Sequence, residues 1–239
     1  MAIGRWRHDR QTVMQRSPPH AANQSDEHLI AQFEQFVSSE AFPCVGAKSA
    51  LNRHQMVFHV EADFSQPPNV STVDVIQQFS QAYNHDSPLF QSLIVLFRQP
   101  VVLDETGFET LLWRYLQRLH ELDALDYEWD AHVNKDPASE NFSFSIGGRA
   151  YYVVGLHPGA SRAARRFSTS ALVFNLHDQF ERLRHNQKYE SIRNTIIKRD
   201  IELEGTPNPM LKTFGTHSEA PQYSGRAVEA NWKCPFHAR

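Results

Sequence analysis

The chain has 239 residues, 41% of them hydrophobic, which suits one large domain or two small ones with a real core. Its 24 Lys and Arg against 27 Asp and Glu give a formal charge of −3 and a pI near 6.5, so it carries no basic footprint for nucleic acid. No apolar run approaches the roughly 20 residues of a bilayer-spanning helix, and the basic N-terminus lacks the apolar segment of a secretory signal. Two cysteines, Cys44 and Cys234, are too few for a disulfide framework, and no CxxC spacing is present. The expectation is a cytoplasmic protein with two reduced thiols.

Residues 1–26 read as a flexible N-terminal arm, and 27–239 as the folded domain. From Glu27 to Ser38, Leu29, Ile30, Phe33, Phe36 and Val37 recur at helical spacing, with Ser25 or Asp26 as the cap. A break at Phe42-Pro43-Cys44 precedes a strand over Gln55–Glu61. A Pro- and Ser-rich loop leads to a helix over Thr72–Tyr83. Ser92–Phe97, SLIVLF, is a buried strand. Glu105–Leu122 is the clearest helix, with Phe108, Leu111, Leu112, Tyr115, Leu116 and Leu119 on one broad face. After an acidic irregular stretch, Phe142–Ile146 and Ala150–Gly155 flank Gly147-Gly148 and predict a hairpin. Ser170–Asn175 is a further strand, Asp178–Arg184 starts a helix, and Lys188–Glu204 is a long charged helix. Gly205–Arg239 is turn-rich. This mixture predicts a single α+β domain: a mixed, mainly antiparallel sheet with packed helices and an irregular C-terminal segment.

The stretch Tyr151–Arg184 holds the most suggestive chemistry. His157 follows an apolar strand and precedes Arg162, Arg165 and Arg166. Arg162 and Arg166 share a face if the turn between them is helical. A ligand-capable imidazole beside three guanidiniums suits a cofactor with an iron and anionic groups, as haem has. His177 stands at a strand-to-helix junction, with Asp178 able to hold its second nitrogen. His120 lies near the end of the Glu105–Leu122 helix, at the border of its buried face. In the tail, Glu219, Tyr223, Ser224 and Arg226 are polar groups of the kind that close over a ligand. Each has a plainer account: a satisfied core histidine, a helix cap, a solvated basic face, a packed coil. Cys44 could ligate haem as thiolate, but a buried, inert thiol is the simpler reading. No dinucleotide, phosphate-loop, zinc-protease or hydrolase motif is present.

Taken in order, a set of short motifs carries a resemblance. They are Phe42-Pro-Cys44 with Ala47-Lys48, Leu112-Trp113 with Leu116-Gln117 and His120, Asp136-Pro137, Phe142–Gly148, Val153–Arg162 with Arg165-Arg166-Phe167, Asn175–Glu181, Asn208–Met210, Tyr223–Arg226 and Cys234–Phe236. The chain resembles the YqcI/YcgG family over about Phe33–Phe236, in the branch of the GntA-type haem-dependent N-hydroxylases. The resemblance implies haem b, dioxygen, and an external reductase or ferredoxin-like electron donor. It implies a small amine or guanidine substrate of arginine-like type, no nucleic acid or membrane partner, and a chain that could form a homodimer. His157 is the first choice of axial ligand, His120 the second and His177 the third. Arg162, Arg165, Arg166 and Arg226 are expected to bind the cofactor. His177, Tyr223, Ser224 and Glu219 are expected to act in catalysis. The competing readings are a non-catalytic haem or gas-binding protein and a cofactor-free binding module.

Overall fold

In the computed structural model, residues 24–99, 103–210 and 215–238 are described. Most of the expected N-terminal arm, residues 1–23, lies outside them. The helices are α1 (Gln24–Ser38), α2 (Val45–Asn52), α3 (Val70–Ala82), α4 (Glu105–Asp123), α5 (His177–His185) and α6 (Tyr189–Glu204). The strands are β1 (Met56–Glu61), β2 (Ser92–Phe97), β3 (Phe144–Ile146), β4 (Arg149–Leu156) and β5 (Ala171–Leu176). Among the described residues they form one sheet in the order β1-β2-β5-β4-β3. The β1–β2 pair is parallel, bridged by α3, and the other pairs are antiparallel. The α+β expectation of a single domain holds.

The strand alternation sorts side chains into two layers. Leu93, Val95 and Phe97 of β2, Tyr151 and Val153 of β4, and Phe174 of β5 face α3 and α4. Ile94 and Leu96 of β2, with Leu156 and Ala171, face α1. Every residue of β2 is buried, which explains its uninterrupted apolar sequence. α4 starts at Asp104, whose carboxylate accepts the Gly107 N–H at 2.7 Å, and its apolar stripe covers one sheet face. Gly147 and Gly148, at φ +62° and +68°, make the tight β3–β4 turn, a backbone conformation that glycine reaches without strain. The Asp123 carboxylate accepts the Gly147 N–H at 2.9 Å, tying α4 to this hairpin.

The C-terminal segment packs firmly. Tyr223 stacks on Trp113 of α4 with ring centroids 5.4 Å apart, and Phe236 is wholly buried. One helix was absent from the sequence reading: α2 fills the break after Pro43, with Cys44 as its N-cap. Among the described residues, no helix is long and apolar enough to cross a membrane.

Candidate ligand cavity

On the sheet face opposite α4, a cavity of about 350 Å³ opens between β4, β5 and the helices α2, α5 and α6. Its floor is set by strand parity: Tyr152, Val154 and Leu156 of β4, with Val173 and Asn175 of β5, all project to this side. α6 supplies a wall of Tyr189, Ile192, Ile196 and Ile197, spaced along one helical face. That stripe explains why a 16-residue helix has Asp200 as its one fully buried residue: its apolar face looks onto open space. Ala47 and Phe90 add further apolar surface, and Cys44 stands in the wall at the start of α2.

Cys44 Sγ accepts the Ala47 N–H at 3.4 Å. Burial pushes its thiol pKa up, while the backbone N–H groups of α2 and the nearby Arg165 guanidinium act in the opposite direction. Sulfur is a soft donor, suited to iron, copper or zinc. Among the described residues, no group of three or more His, Cys, Asp and Glu is arranged to hold a metal ion. A cofactor that brings its own equatorial ligands, as haem does, needs only an axial donor.

The polar groups of the cavity wall include Tyr152, Arg165, Arg184, Arg193, Glu219 and Gln222. Gln222 donates its amide N–H to Glu219. Burial raises the Glu219 carboxyl above the usual carboxylate range, and Arg184 and Arg193 partly offset this. Burial also lifts the Tyr152 hydroxyl well above its ordinary value, with Arg184 pulling the other way. The Arg184 guanidinium lies 4.3 Å from the Tyr189 ring centroid. One end of the cavity is therefore a half-buried acid amid guanidiniums, set in a largely apolar chamber.

The residues expected from sequence are dispersed. His157 lies in the other layer, 1% exposed, its ring stacked on Phe108 of α4 at 4.1 Å and 11°. Burial lowers its pKa, and among the described residues its Nδ1 has no hydrogen-bond partner. His120 is also in that layer, edge-on to Trp129 and Phe236 at 5.4 and 5.5 Å. Neither ring lines the cavity. His177 stands at the rim as the first residue of α5, 4.9 Å from Tyr152 between ring centroids and 3.3 Å from the Glu181 carboxylate. Burial holds its pKa down.

The arginines divide in the same way. Arg162 pairs with Asp200 at 2.6 Å and also donates to the Thr206 carbonyl, while Arg166 donates to the carbonyls of Ala160 and Ser161. The 3-10 turn at Ala163–Arg165 is too short to align these two on one face. Arg165 reaches the cavity, yet its guanidinium donates to the carbonyls of Gly155, Tyr223 and Gln222. Arg226 is bound to Glu109 and Glu229 beside α4. Tyr223 borders the cavity, but its hydroxyl donates to the Tyr151 carbonyl and accepts the Phe144 N–H on the far side of the sheet. Ser224 Oγ donates to Glu109. Of the expected catalytic and cofactor residues, Arg165, Glu219 and Tyr223 line the cavity, and His177 packs against one lining residue, Tyr152. Sequence reasoning did not single out Tyr152, Arg184, Tyr189 or Arg193. The spacing of Tyr189, Ile192, Ile196 and Ile197 was the one available signal.

Among the described residues, an open five-stranded, mainly antiparallel sheet with helices on both faces defines an α+β domain whose cavity is edged by guanidiniums. A profile of the YqcI/YcgG family matches residues 33–237, and the chain belongs to that family. It is 26% identical over 211 residues to the uncharacterized protein YcgG of Bacillus subtilis (strain 168), covering 83% of this chain and 81% of that protein. No solved structure matches the chain.

Proposed function

We propose that the cavity is the cofactor and substrate chamber of a haem-dependent oxygenase that hydroxylates an amine or guanidine nitrogen of a small metabolite. The observation that carries this reading is the pairing, in one largely apolar cavity, of a soft donor, Cys44, with a half-buried acid, Glu219. The resemblance to GntA-type N-hydroxylases points in the same direction. An apolar wall suits a macrocycle, and Arg184 and Arg193 suit its carboxylates. On this reading Cys44, rather than His157 or His120, would hold the iron, because the His157 ring stacks on Phe108 of α4 and the His120 ring, on α4 itself, packs against Phe236, both in the other layer.

If bound, haem would supply dioxygen activation, with Cys44 holding its iron. Binding to iron would deprotonate the thiol outright, overcoming the effect of its burial. The reaction balances as one oxygen atom inserted into N–H and the other released as water, with two electrons and two protons taken up. The electrons come from an external donor. Glu219 holds the cationic nitrogen by charge and hydrogen bond, and its raised pKa suits it to accept the proton that the nitrogen must lose. Closed apolar walls keep bulk water from the reacting nitrogen.

The test is the visible spectrum of protein from haem-supplemented cells, before and after reduction, for wild type, Cys44→Ala and His157→Ala. Loss of bound haem in Cys44→Ala with retention in His157→Ala supports the reading. A wild-type protein that remains colourless and takes up no added hemin refutes it. Haem binding without amine-dependent oxygen consumption would instead identify a non-catalytic haem or gas-binding protein.

A further inference from the structure

The outer face of α2 carries a second concavity. It is an open groove of about 590 Å³ lined by Val45, Lys48, Ser49, Asn52 and Arg53 of α2 and its C-cap, and by Arg199 of α6. Three of these six side chains are cations and none is a carboxylate. On a chain of net charge −3 such a patch stands apart from the average surface. Burial lowers the Lys48 pKa, the neighbouring Arg199 charge adds to this, and Glu40 partly relieves it. Both cations also donate to backbone carbonyls of the preceding loop: Lys48 to Ser39 and Glu40, Arg199 to Glu40 and Phe42. The cations are thereby held fixed, one helical turn from Cys44, whose carbonyl accepts the Lys48 N–H at 3.1 Å. The end of α2 that faces the cavity and the face that carries the cations belong to the same two turns of helix.

We infer that the α2–α6 face bounded by Lys48, Arg53 and Arg199 is the docking surface for an acidic iron–sulfur protein that delivers electrons to the cavity. The inference rests on the oxygenase reading, which requires an external one-electron donor used twice per turnover. Charge complementarity favours this partner. Opposed charged patches steer encounter and fix register. A small anion is the weaker fit, because Lys48 and Arg199 already spend donors on backbone carbonyls. They act outward as fixed charges rather than as a ring of free N–H groups.

The test titrates the full-length, ¹⁵N-labelled chain with an acidic plant-type [2Fe–2S] ferredoxin at low and at high ionic strength. The expected result is amide shifts confined to Val45–Arg53 and the α6 residues around Arg199, abolished by salt. Arg53→Glu, an exposed site with no part in the cavity, should weaken binding about three- to tenfold while leaving the spectrum elsewhere unchanged. Shifts that map to another face, or wild-type affinity in Arg53→Glu, would overturn the assignment. So would inorganic phosphate that reproduces the same shifts and displaces the ferredoxin. The two readings fail separately. A chain that binds no haem but shows these shifts loses the oxygenase function and keeps the surface. A haem protein that turns over with a chemical reductant but ignores ferredoxin at α2 loses the surface alone.

Discussion

Arg165 decides whether the cationic cluster is a cofactor cradle or a structural clamp. Its guanidinium donates to the Gly155 carbonyl at 3.0 Å, the Tyr223 carbonyl at 3.3 Å and the Gln222 carbonyl at 3.0 Å, joining the end of β4 to the C-terminal segment. Burial pulls its pKa down to about 10, so it stays charged at neutral pH. Hydrogen bonds to a charged group contribute roughly 1.5–3 kcal/mol each. Removing Arg165 also removes the desolvation cost of its charge, several kcal/mol. Two of the three acceptors keep a partner: the Tyr223 carbonyl keeps the Gly155 N–H, and the Gln222 carbonyl keeps the Gly225 N–H. The net expectation for Arg165→Ala is a loss of about 2–4 kcal/mol, which includes the space left by the side-chain stem. Arg165→Met keeps the stem and should lose about half as much. Urea unfolding monitored by tryptophan fluorescence measures both, and hydrogen exchange should show new opening at residues 220–225. A loss below about 0.5 kcal/mol in Arg165→Ala, with residues 220–225 still protected, refutes the clamp.

Three further outcomes follow from the packing. In Gly155→Ala the new Cβ would stand 2.6 Å from Phe108 Cε1 and 2.8 Å from Leu112 Cδ1, so β4 and α4 must separate at a cost of about 1–3 kcal/mol; unchanged chemical-denaturation midpoints would contradict that contact. His157 and His177 both have pKa values lowered by burial, so below about pH 6.5 the unfolded chain takes up protons that the folded one resists. Stability should fall as pH drops from about 6.5 toward their folded-state values, and His157→Phe should flatten the profile; a slope untouched by that substitution would refute the His157 share. Asp26 is held below the usual carboxylate range chiefly by its hydrogen bond to Arg98, with Nε–Oδ1 at 2.5 Å and Nη2–Oδ2 at 2.7 Å. Its contribution is present above about pH 4 and lost as pH falls through the folded-state value. Asp26→Asn should cost about 1 kcal/mol at neutral pH, since Arg98 is partly exposed, and progressively less in acid; an equal cost at all pH values would argue against the pair.

The frame of this molecule was legible in its sequence where one local signal dominates. SLIVLF can be little other than a strand buried on both faces, and the apolar face of Glu105–Leu122, preceded by Asp104, specifies a long amphipathic helix. Gly147-Gly148 between two apolar runs specifies the hairpin. α2 escaped because VGAKSALN has a glycine, one fully buried residue in Ala50, and a cysteine where a cap is usually Ser, Thr, Asp or Asn. α6 was visible as a helix, but its charges masked the stripe that faces the cavity.

Strand parity divides the candidate site, and it explains why proximity in sequence misleads here. Tyr152, Val154 and Leu156 look into the cavity, so Gly155 and His157 must look toward α4, where Phe108 receives both. A histidine immediately after an apolar strand was a reasonable ligand, yet a one-residue offset puts it in the other layer. The same alternation that filled the core with Tyr151 and Val153 left Tyr152 free to face Arg184 and Glu219. Cys44 reaches this chamber by no local rule, because its loop is brought there by α2 packing on α6, contacts separated by more than 140 residues. The residues that meet in the cavity come from separate segments of the chain between Cys44 and Tyr223, each ordinary by itself. A ligand site assembled in this way is read by asking which side chains share a face of the sheet, rather than which share a motif.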